Sequence, residues 1–169
     1  LPVVINSGSG NQGMTVSLPV IEYAKEYNAT KDQLYRALVV ANLISIHQKK
    51  YIGPLSAYCG AVSAAAGAAA GIAFISGMDD KVIADSITNT LASVGGIVCD
   101  GAKPSCAAKI SSALEAAILG FELAEEKKAF ENGEGLVKEN VEKTIETFGK
   151  VGKEGMKETD IEILHLMIE

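Results

Sequence analysis

Three cysteines are the residues of this sequence whose type and placement best suit chemistry. Cys59, Cys99 and Cys106 lie within one central stretch of the 169-residue chain. Six residues, among them a glycine and a proline, separate Cys99 from Cys106, so the loop between them can bring its two ends towards one centre. Cys106 is predicted to lie in the first turn of a helix, where the helix dipole and free N–H groups favour a thiolate.

Three thiolates suit two kinds of metal site, and a third interpretation needs no metal. A closed zinc site would need a fourth ligand such as histidine, but the spacing places neither His47 nor His165 near the loop. A 4Fe–4S cluster usually takes four cysteines, so a set of three leaves one iron open to act on a substrate as a Lewis acid. Because the sequence has no short C-x-x-C motif, the cysteines can also be interpreted as small, buried, inert side chains.

Helical patterns run along most of the chain and must position these cysteines. Residues 1–13 are predicted to form a short extended run and a glycine-rich loop, and Pro19 to mark a late start or a kink of the first helix. Thr30 and Gln33 form a predicted capping box for the second helix. Strand-like alternation does not persist beyond Val3-Val4-Ile5, so the predicted fold class is all-α. Helices are predicted over residues 14–28, 31–50, 55–76, 81–94, 104–130 and 136–150, and in a short segment that Thr159 and Glu162 cap and that ends near Met167.

The uncharged stretch 55–76 is predicted to be a central helix that the other helices surround. Its length requires a test as a membrane span, but Ala, Gly and Ser dominate it and insert weakly into membranes. It also contains a cysteine and lacks basic residues close to its ends. A helix that is apolar all round is typical of a protein core, and Gly67 and Gly71 share a face that a neighbouring helix could approach closely. We therefore expect no membrane partner.

Charge and composition narrow the expected partners and location. The formal net charge of −6 argues against nucleic acid and anionic membrane surfaces as partners. No signal-peptide pattern is visible, and the chain begins with Leu1 instead of Met, which predicts a processed piece or fragment of a longer protein. An odd number of cysteines without an export signal argues against a disulfide framework. These features predict a cytoplasmic protein.

A glycine-rich loop near the start of the chain is the second candidate for a binding role. Its backbone N–H groups could form a nest for a substrate carboxylate, with Ser9, Asn11 and Gln12 as candidate substrate-binding residues. The loop fits neither the dinucleotide fingerprint nor the P-loop, and a flexible connector is the alternative. Lys103, between two of the cysteines, is suited to steering a carboxylate or to proton transfer, and a solvated surface lysine is the alternative.

Three segments resemble the iron–sulfur-dependent L-serine dehydratase alpha-domain family. Two contain the cysteines and the third is the glycine-rich loop: Cys59-Gly60-Ala61-Val62-Ser63-Ala64-Ala65-Ala66-Gly67, Cys99-Asp100-Gly101-Ala102-Lys103-Pro104-Ser105-Cys106 and Gly8-Ser9-Gly10-Asn11-Gln12-Gly13. In the family a cysteine starts the Ala/Gly-rich helix, and a Cys-Asp pair and a Pro-x-Cys or Pro-Cys ending bracket a later loop. The sequence is most similar to the L-cysteine desulfidase branch, which includes a serine-dehydratase-like group, because the dehydratase branch has a longer spacing between its last two cysteines.

This resemblance, which covers most of residues 1–125, implies an activity and a cofactor. It implies that Cys59, Cys99 and Cys106 bind a 4Fe–4S cluster in a cytoplasmic lyase. Such an enzyme eliminates hydrogen sulfide from L-cysteine, or water from L-serine, to give pyruvate and ammonia. The family also has an N-terminal portion that supplies further active-site groups and is absent here.

The resulting expectation is that residues 1–169 form one C-terminal, cluster-binding domain of a longer protein. The expected partners are a small amino-acid substrate, the missing N-terminal part and further copies of the chain in a homo-oligomer. No residue of this chain is identified as the general base, and the fragment alone is expected to lack groups that catalysis needs. The alternative function is a non-catalytic helical assembly domain with buried, inert cysteines.

Overall fold

The computed structural model describes residues 3–169, and this part of the chain is all-α, as the sequence predicts. It contains seven α-helices and one short π-helix, and no strand of a sheet. The α-helices are α1 Gly10–Glu26, α2 Lys31–Ile52, α3 Gly60–Ile75, α4 Asp80–Val94, α5 Ser105–Glu125, α6 Val141–Lys150 and α7 Lys157–Ile168, and the π-helix is Val151–Gly155. Among residues 3–169, none of the helices combines the length and the hydrophobicity that a membrane span requires.

Helix α3 lies at the centre of the domain and packs against α1, α2, α4 and α5. Every residue from Ala61 to Ala73 is buried, which confirms the predicted central helix, although the helix begins at Gly60 instead of residue 55. Its small side chains let its neighbours come close. A Cβ atom at Gly67 would lie 2.5 Å from the carbonyl oxygen of Ala41, and one at Gly71 would lie 2.8 Å from a methyl group of Val20. The two glycines therefore set the distance between α3 and the helices α1 and α2.

Helix α1 begins earlier than the sequence pattern predicts. The expected loop over residues 6–13 ends at Ser9, whose hydroxyl caps the helix by accepting from the backbone N–H of Gln12 at 3.4 Å. Gly10 and Gly13 lie inside the helix despite their low helix propensity. Gly13 is required by packing, because a Cβ atom there would lie 1.7 Å from the Val4 carbonyl oxygen. The prediction of a late start at Pro19 is therefore wrong, and the proline lies within the helix.

The predicted bounds of the later helices also change, because local hydrogen bonds end or start the helices elsewhere. Helix α5 ends at Glu125, since the backbone turns at Lys127 with a φ of 58°. Helix α6 begins only at Val141, where the Asn140 side chain accepts from the N–H of Lys143. The predicted cap at Thr159 is wrong, because this residue lies inside α7.

The capping box of α2 is present, and its loss should be measurable. The Thr30 hydroxyl accepts from the backbone N–H of Gln33 at 3.3 Å, and the Gln33 side chain accepts from the N–H of Thr30 at 2.8 Å. Thr30→Ala should lower the free energy of unfolding by about 1 kcal/mol, because an N–H at the helix end loses its partner. Urea denaturation measures the change. Thr159→Ala is the matched control and should change stability by less than about 0.5 kcal/mol; an equal loss in both variants would contradict the assignment.

Candidate functional site

A short backbone bridge holds the segments of the first two cysteines side by side. The backbone N–H of Cys59 donates to the carbonyl of Ile97 at 2.9 Å, and the N–H of Cys99 donates to the carbonyl of Ala57 at 2.6 Å. These bonds flank an isolated antiparallel bridge between Tyr58 and Val98. Cys59 is also the N-cap residue of α3, so the bridge brings Cys99 to the start of that helix.

Cys106 reaches the same place from the first turn of α5. Its thiol donates to the carbonyl of Gly101 at 3.1 Å and accepts from the backbone N–H of Lys103 at 3.4 Å, so the loop curls over the cysteine as its spacing predicts. All three cysteines line one cavity of about 130 Å³. Cys59 is buried, whereas Cys99 and Cys106 are partly exposed. The structure therefore brings the three predicted ligands together at the N-terminal ends of α3 and α5.

The thiols of Cys59 and Cys99 are coupled by a hydrogen bond between their side chains. This bond lowers the pKa of Cys99 to about 6, with the backbone N–H of Gly101 and the ammonium of Lys109 acting in the same direction against burial. The same bond raises the pKa of Cys59, which keeps its proton, and burial raises it further. The pair therefore holds one thiolate near neutral pH and shares a single proton.

This coupling predicts selective alkylation of the metal-free chain. Iodoacetamide at about pH 7 should modify Cys99 faster than either other cysteine, because the thiolate is the nucleophile. The rate should rise as the pH increases from about 5 to 7 and then level off, since deprotonation is then complete. Peptide mapping by mass spectrometry gives the rate at each cysteine in one sample, with the partly exposed Cys106 as an internal control. A rate at Cys99 that begins to rise only above about pH 8 would contradict the lowered pKa.

Lys109 lines the cavity although the sequence analysis did not single it out. Its ammonium donates to the carbonyl of Val98 at 3.1 Å and pairs with Asp100, which lowers the pKa of that carboxyl. Lys109 follows Cys106 by three positions on α5, so helical spacing was the available signal.

Lys103 is exposed in the loop and is not among the residues that line the cavity. Lys49 on α2 is partly buried, and burial lowers its pKa while Cys99 and Cys59 oppose this effect.

The predicted binding loop meets the cysteines at the same cavity. Ser9, Asn11 and Gln12, from the start of α1, all line it. Gln12 is only 9% exposed, and within the described chain its Oε1 atom has no hydrogen-bond partner. A Cβ atom at Gly60 would lie 2.3 Å from the Gln12 Cδ atom, so the amide lies against the first residue of α3. The N-terminal ends of three helices therefore converge on one cavity.

The histidines contribute nothing to this cavity. His47 contacts Glu142 of α6 through Nε2 at 2.8 Å, and Tyr51 donates to the same carboxylate at 2.6 Å. This arrangement raises the pKa of Tyr51 to about 12, first through its hydrogen bond to Glu142. His165 is exposed on α7. Neither histidine is among the residues that line the cavity, so both are placed as the sequence predicts.

The residues that line the cavity include the kind of ligand that an iron–sulfur cluster takes. Among residues 3–169, no three His, Cys, Asp or Glu side chains are grouped closely enough to hold one metal ion. The residues that line the cavity supply three sulfur atoms and no carboxylate or imidazole. Cys59, Cys99 and Cys106 are therefore the residues that would hold a cluster.

Comparison with known proteins places the chain among longer relatives. It is 56% identical over 168 residues to a UPF0597 protein of Desulfitobacterium hafniense, with 99% of this chain and 39% of the relative covered. A UPF0597 protein of Lachnoclostridium phytofermentans is also 56% identical over 168 residues, with 99% and 40% covered. One from Bacteroides fragilis is 41% identical over 167 residues, with 99% and 39% covered. The chain thus spans about two fifths of the length of these relatives.

A family assignment agrees with the cysteine pattern and the helical fold. No solved structure matches the chain significantly. The family described as serine dehydratase alpha chain matches residues 1–165, which is nearly the whole sequence. The chain therefore belongs to the serine dehydratase alpha chain family.

Proposed function

We propose that this chain is the cluster-bearing part of a lyase that eliminates hydrogen sulfide from L-cysteine, or water from L-serine, to give pyruvate and ammonia. One observation carries the proposal: Cys59, Cys99 and Cys106 line the same cavity as the polar residues Ser9, Asn11 and Gln12. Family membership supports it at the coarser level of a serine dehydratase-like domain. The convergence of sulfur ligands and polar side chains is the arrangement that an elimination on a small polar substrate needs.

The cysteines and the polar residues have separate roles in this proposal. A bound 4Fe–4S cluster with three protein ligands supplies an open iron that acts as a Lewis acid on the leaving thiol or hydroxyl group. The N-terminal ends of α3 and α5 stabilise the thiolates of the ligands. Ser9, Asn11 and Gln12 bind and orient the amino acid. Lys103 remains the proposed residue for steering the substrate carboxylate from the loop, and no residue of this chain is assigned as the base that removes the α-proton.

The proposed substrate is L-cysteine in preference to L-serine, and the spacing of the cysteines supports this choice. Cys99 and Cys106 are close in sequence, and the hydrogen bonds of Cys106 to Gly101 and Lys103 hold the loop between them in a tight curl. A short loop of this kind is the feature that resembles the desulfidase branch. We further propose that the longer protein acts in the cytoplasm as a homo-oligomer, with this chain as its C-terminal domain.

An anaerobic activity assay tests the proposal on the longer protein that contains this chain. After reconstitution with iron and sulfide, the protein should release sulfide and pyruvate from L-cysteine and give pyruvate at a lower rate from L-serine. Iron analysis and visible absorbance of the same sample report cluster binding independently of turnover. Stoichiometric iron without release of pyruvate from either amino acid would refute the lyase. Protein that binds no iron under these conditions would instead support the inert assembly domain.

A further inference from the structure

Gln12 carries hydrogen-bonding capacity at the cavity that the fold does not use. The residue is 9% exposed, and its Oε1 atom has no partner among residues 3–169. Buried polar atoms in proteins are almost always paired, so an unpaired atom at a cavity requires an explanation. The protein encloses this oxygen beside the cavity, so a ligand that donates a hydrogen bond would satisfy it after the amide group turns over in place. Gln12 therefore differs from Ser9, whose hydroxyl oxygen already accepts a hydrogen bond as the cap of α1 and keeps only its O–H to donate.

The position of the Gln12 amide is set by its packing against Gly60. A Cβ atom at Gly60 would lie 2.3 Å from Cδ, 2.5 Å from Nε2 and 2.7 Å from Oε1 of Gln12. No other residue type would leave the amide where it is, because a Cβ atom at such distances displaces the group it meets. The backbone of Gln12 is fixed independently by the Ser9 cap in the first turn of α1. The amide is thus held beside Cys59, which directly precedes Gly60 in the chain.

The charges around the cavity indicate which group of an amino acid the amide oxygen meets. The cavity lies at the N-terminal ends of α1, α3 and α5, where the helix dipoles favour the substrate carboxylate. No carboxylate side chain is among the lining residues, and Asp100 nearby is paired with Lys109. A substrate ammonium therefore needs a neutral oxygen acceptor. The unpaired Oε1 atom of Gln12 meets this requirement.

We propose that Gln12 Oε1 accepts a hydrogen bond from the α-ammonium group of the substrate, and that Gly60 provides the space for this contact. The proposal rests on the function proposed above and adds a specificity determinant to it. A neutral acceptor also suits the elimination, because a carboxylate beside the substrate would oppose the negative charge that develops when the α-proton leaves. Gln12 then distinguishes α-amino acids from thiols and hydroxy acids of the same size that lack an amino group.

Equilibrium binding of three ligands to the reconstituted longer protein tests this proposal. L-Cysteine carries both charged groups, 3-mercaptopropionate lacks the ammonium and cysteamine lacks the carboxylate. Gln12→Met keeps the side-chain volume but removes the acceptor. The Kd of the Gln12→Met variant for L-cysteine and for cysteamine should rise by about 10- to 100-fold, which is the range typical of a lost hydrogen bond to a charged group. Its Kd for 3-mercaptopropionate should stay unchanged. Calorimetry gives the constants of cysteamine and 3-mercaptopropionate, which cannot be converted to pyruvate and ammonia, and the KM of L-cysteine, which the protein turns over, takes the place of its Kd.

Two further variants keep the test decisive if Gln12→Met loads poorly with iron. Gly60→Ala should displace the amide and weaken the same two ligands, and the double variant should bind no more weakly than either single variant, since both changes remove one contact. Gln12→Glu, which retains an acceptor, should restore cysteamine binding. Weaker binding of 3-mercaptopropionate with unchanged binding of cysteamine would overturn the proposal and assign the amide to the carboxylate. If the variants bind L-cysteine and cysteamine selectively more weakly but the protein has no lyase activity, only the proposed reaction is refuted. A protein that binds none of the three ligands would refute both the proposed reaction and the proposed role of Gln12.

Discussion

Replacing Cys99 and Cys106 together by alanine is expected to abolish cluster binding by the anaerobically reconstituted protein. The two residues supply two of the three sulfur atoms at the cavity, and the remaining ligand, Cys59, is the most buried of the set. One thiolate cannot hold a cluster that normally takes several. Bound iron should fall from about four atoms per chain to well below one, and the visible absorbance of the cluster should disappear. Pyruvate formation should drop by more than about 100-fold, since the loss of a residue that only hydrogen-bonds to a metal ligand already lowers metal affinity or activity by about 10- to 100-fold.

The structure provides a matched control for this double variant. Ser105 immediately precedes Cys106, is exposed and is not among the residues that line the cavity, so Ser105→Ala should load with iron normally. Cys99 and Cys106 are only partly buried, so their loss should leave the helical content of the chain unchanged. Circular dichroism checks this point. A double variant that folds and keeps the visible absorbance would show that other residues hold the cluster.

The sequence predicts the helices well where their signals are local. The capping box at Thr30 lies at the helix start that it marks, and α2 occupies almost the predicted range. The central helix is equally clear, because a long run of small apolar residues suits only a buried position. The start of α1 was not predictable in the same way. Its first turn contains Gly10 and Gly13, and the reason for Gly13 is the approach of the Val4 carbonyl oxygen, which is a tertiary contact.

At the cavity, too, the features that depend on local sequence were predictable and those that depend on tertiary contacts were not. The three cysteines stand out by type and spacing, and the curl of the loop before Cys106 follows from its glycine and proline. The pairing of Tyr58 with Val98 brings together two segments that are far apart in the sequence, and no local pattern indicates it. The contact between Gln12 and Gly60 depends on the packing of α1 against α3. Long-range contacts of this kind place the candidate ligands around one cavity.

Asn89 anchors the chain after α5, and its removal should cause the largest loss of stability. The residue is fully buried on α4. Its Nδ2 atom donates to the carbonyl oxygens of Gly120 at 3.1 Å and Lys128 at 3.0 Å, and its Oδ1 atom accepts from the N–H of Phe130 at 3.0 Å. The bond to Gly120 ties α4 to α5, and the bonds to Lys128 and Phe130 hold the chain just after α5 ends. Asn89→Ala would leave two backbone groups without these partners, the carbonyl of Lys128 and the N–H of Phe130, and create a small cavity.

The expected loss follows from the number of unpaired groups. Each buried donor or acceptor without a partner costs about 1–3 kcal/mol, so Asn89→Ala should lower the free energy of unfolding of the chain by about 3–5 kcal/mol. Urea denaturation should show a lower midpoint with an unchanged slope, because the surface exposed on unfolding stays the same. Asn132→Ala makes the same substitution in the exposed turn that follows and should change stability by less than about 0.5 kcal/mol. Equal stability of the two variants would mean that water satisfies the groups around residue 89. The end of α5 would then be held by its hydrophobic contacts alone.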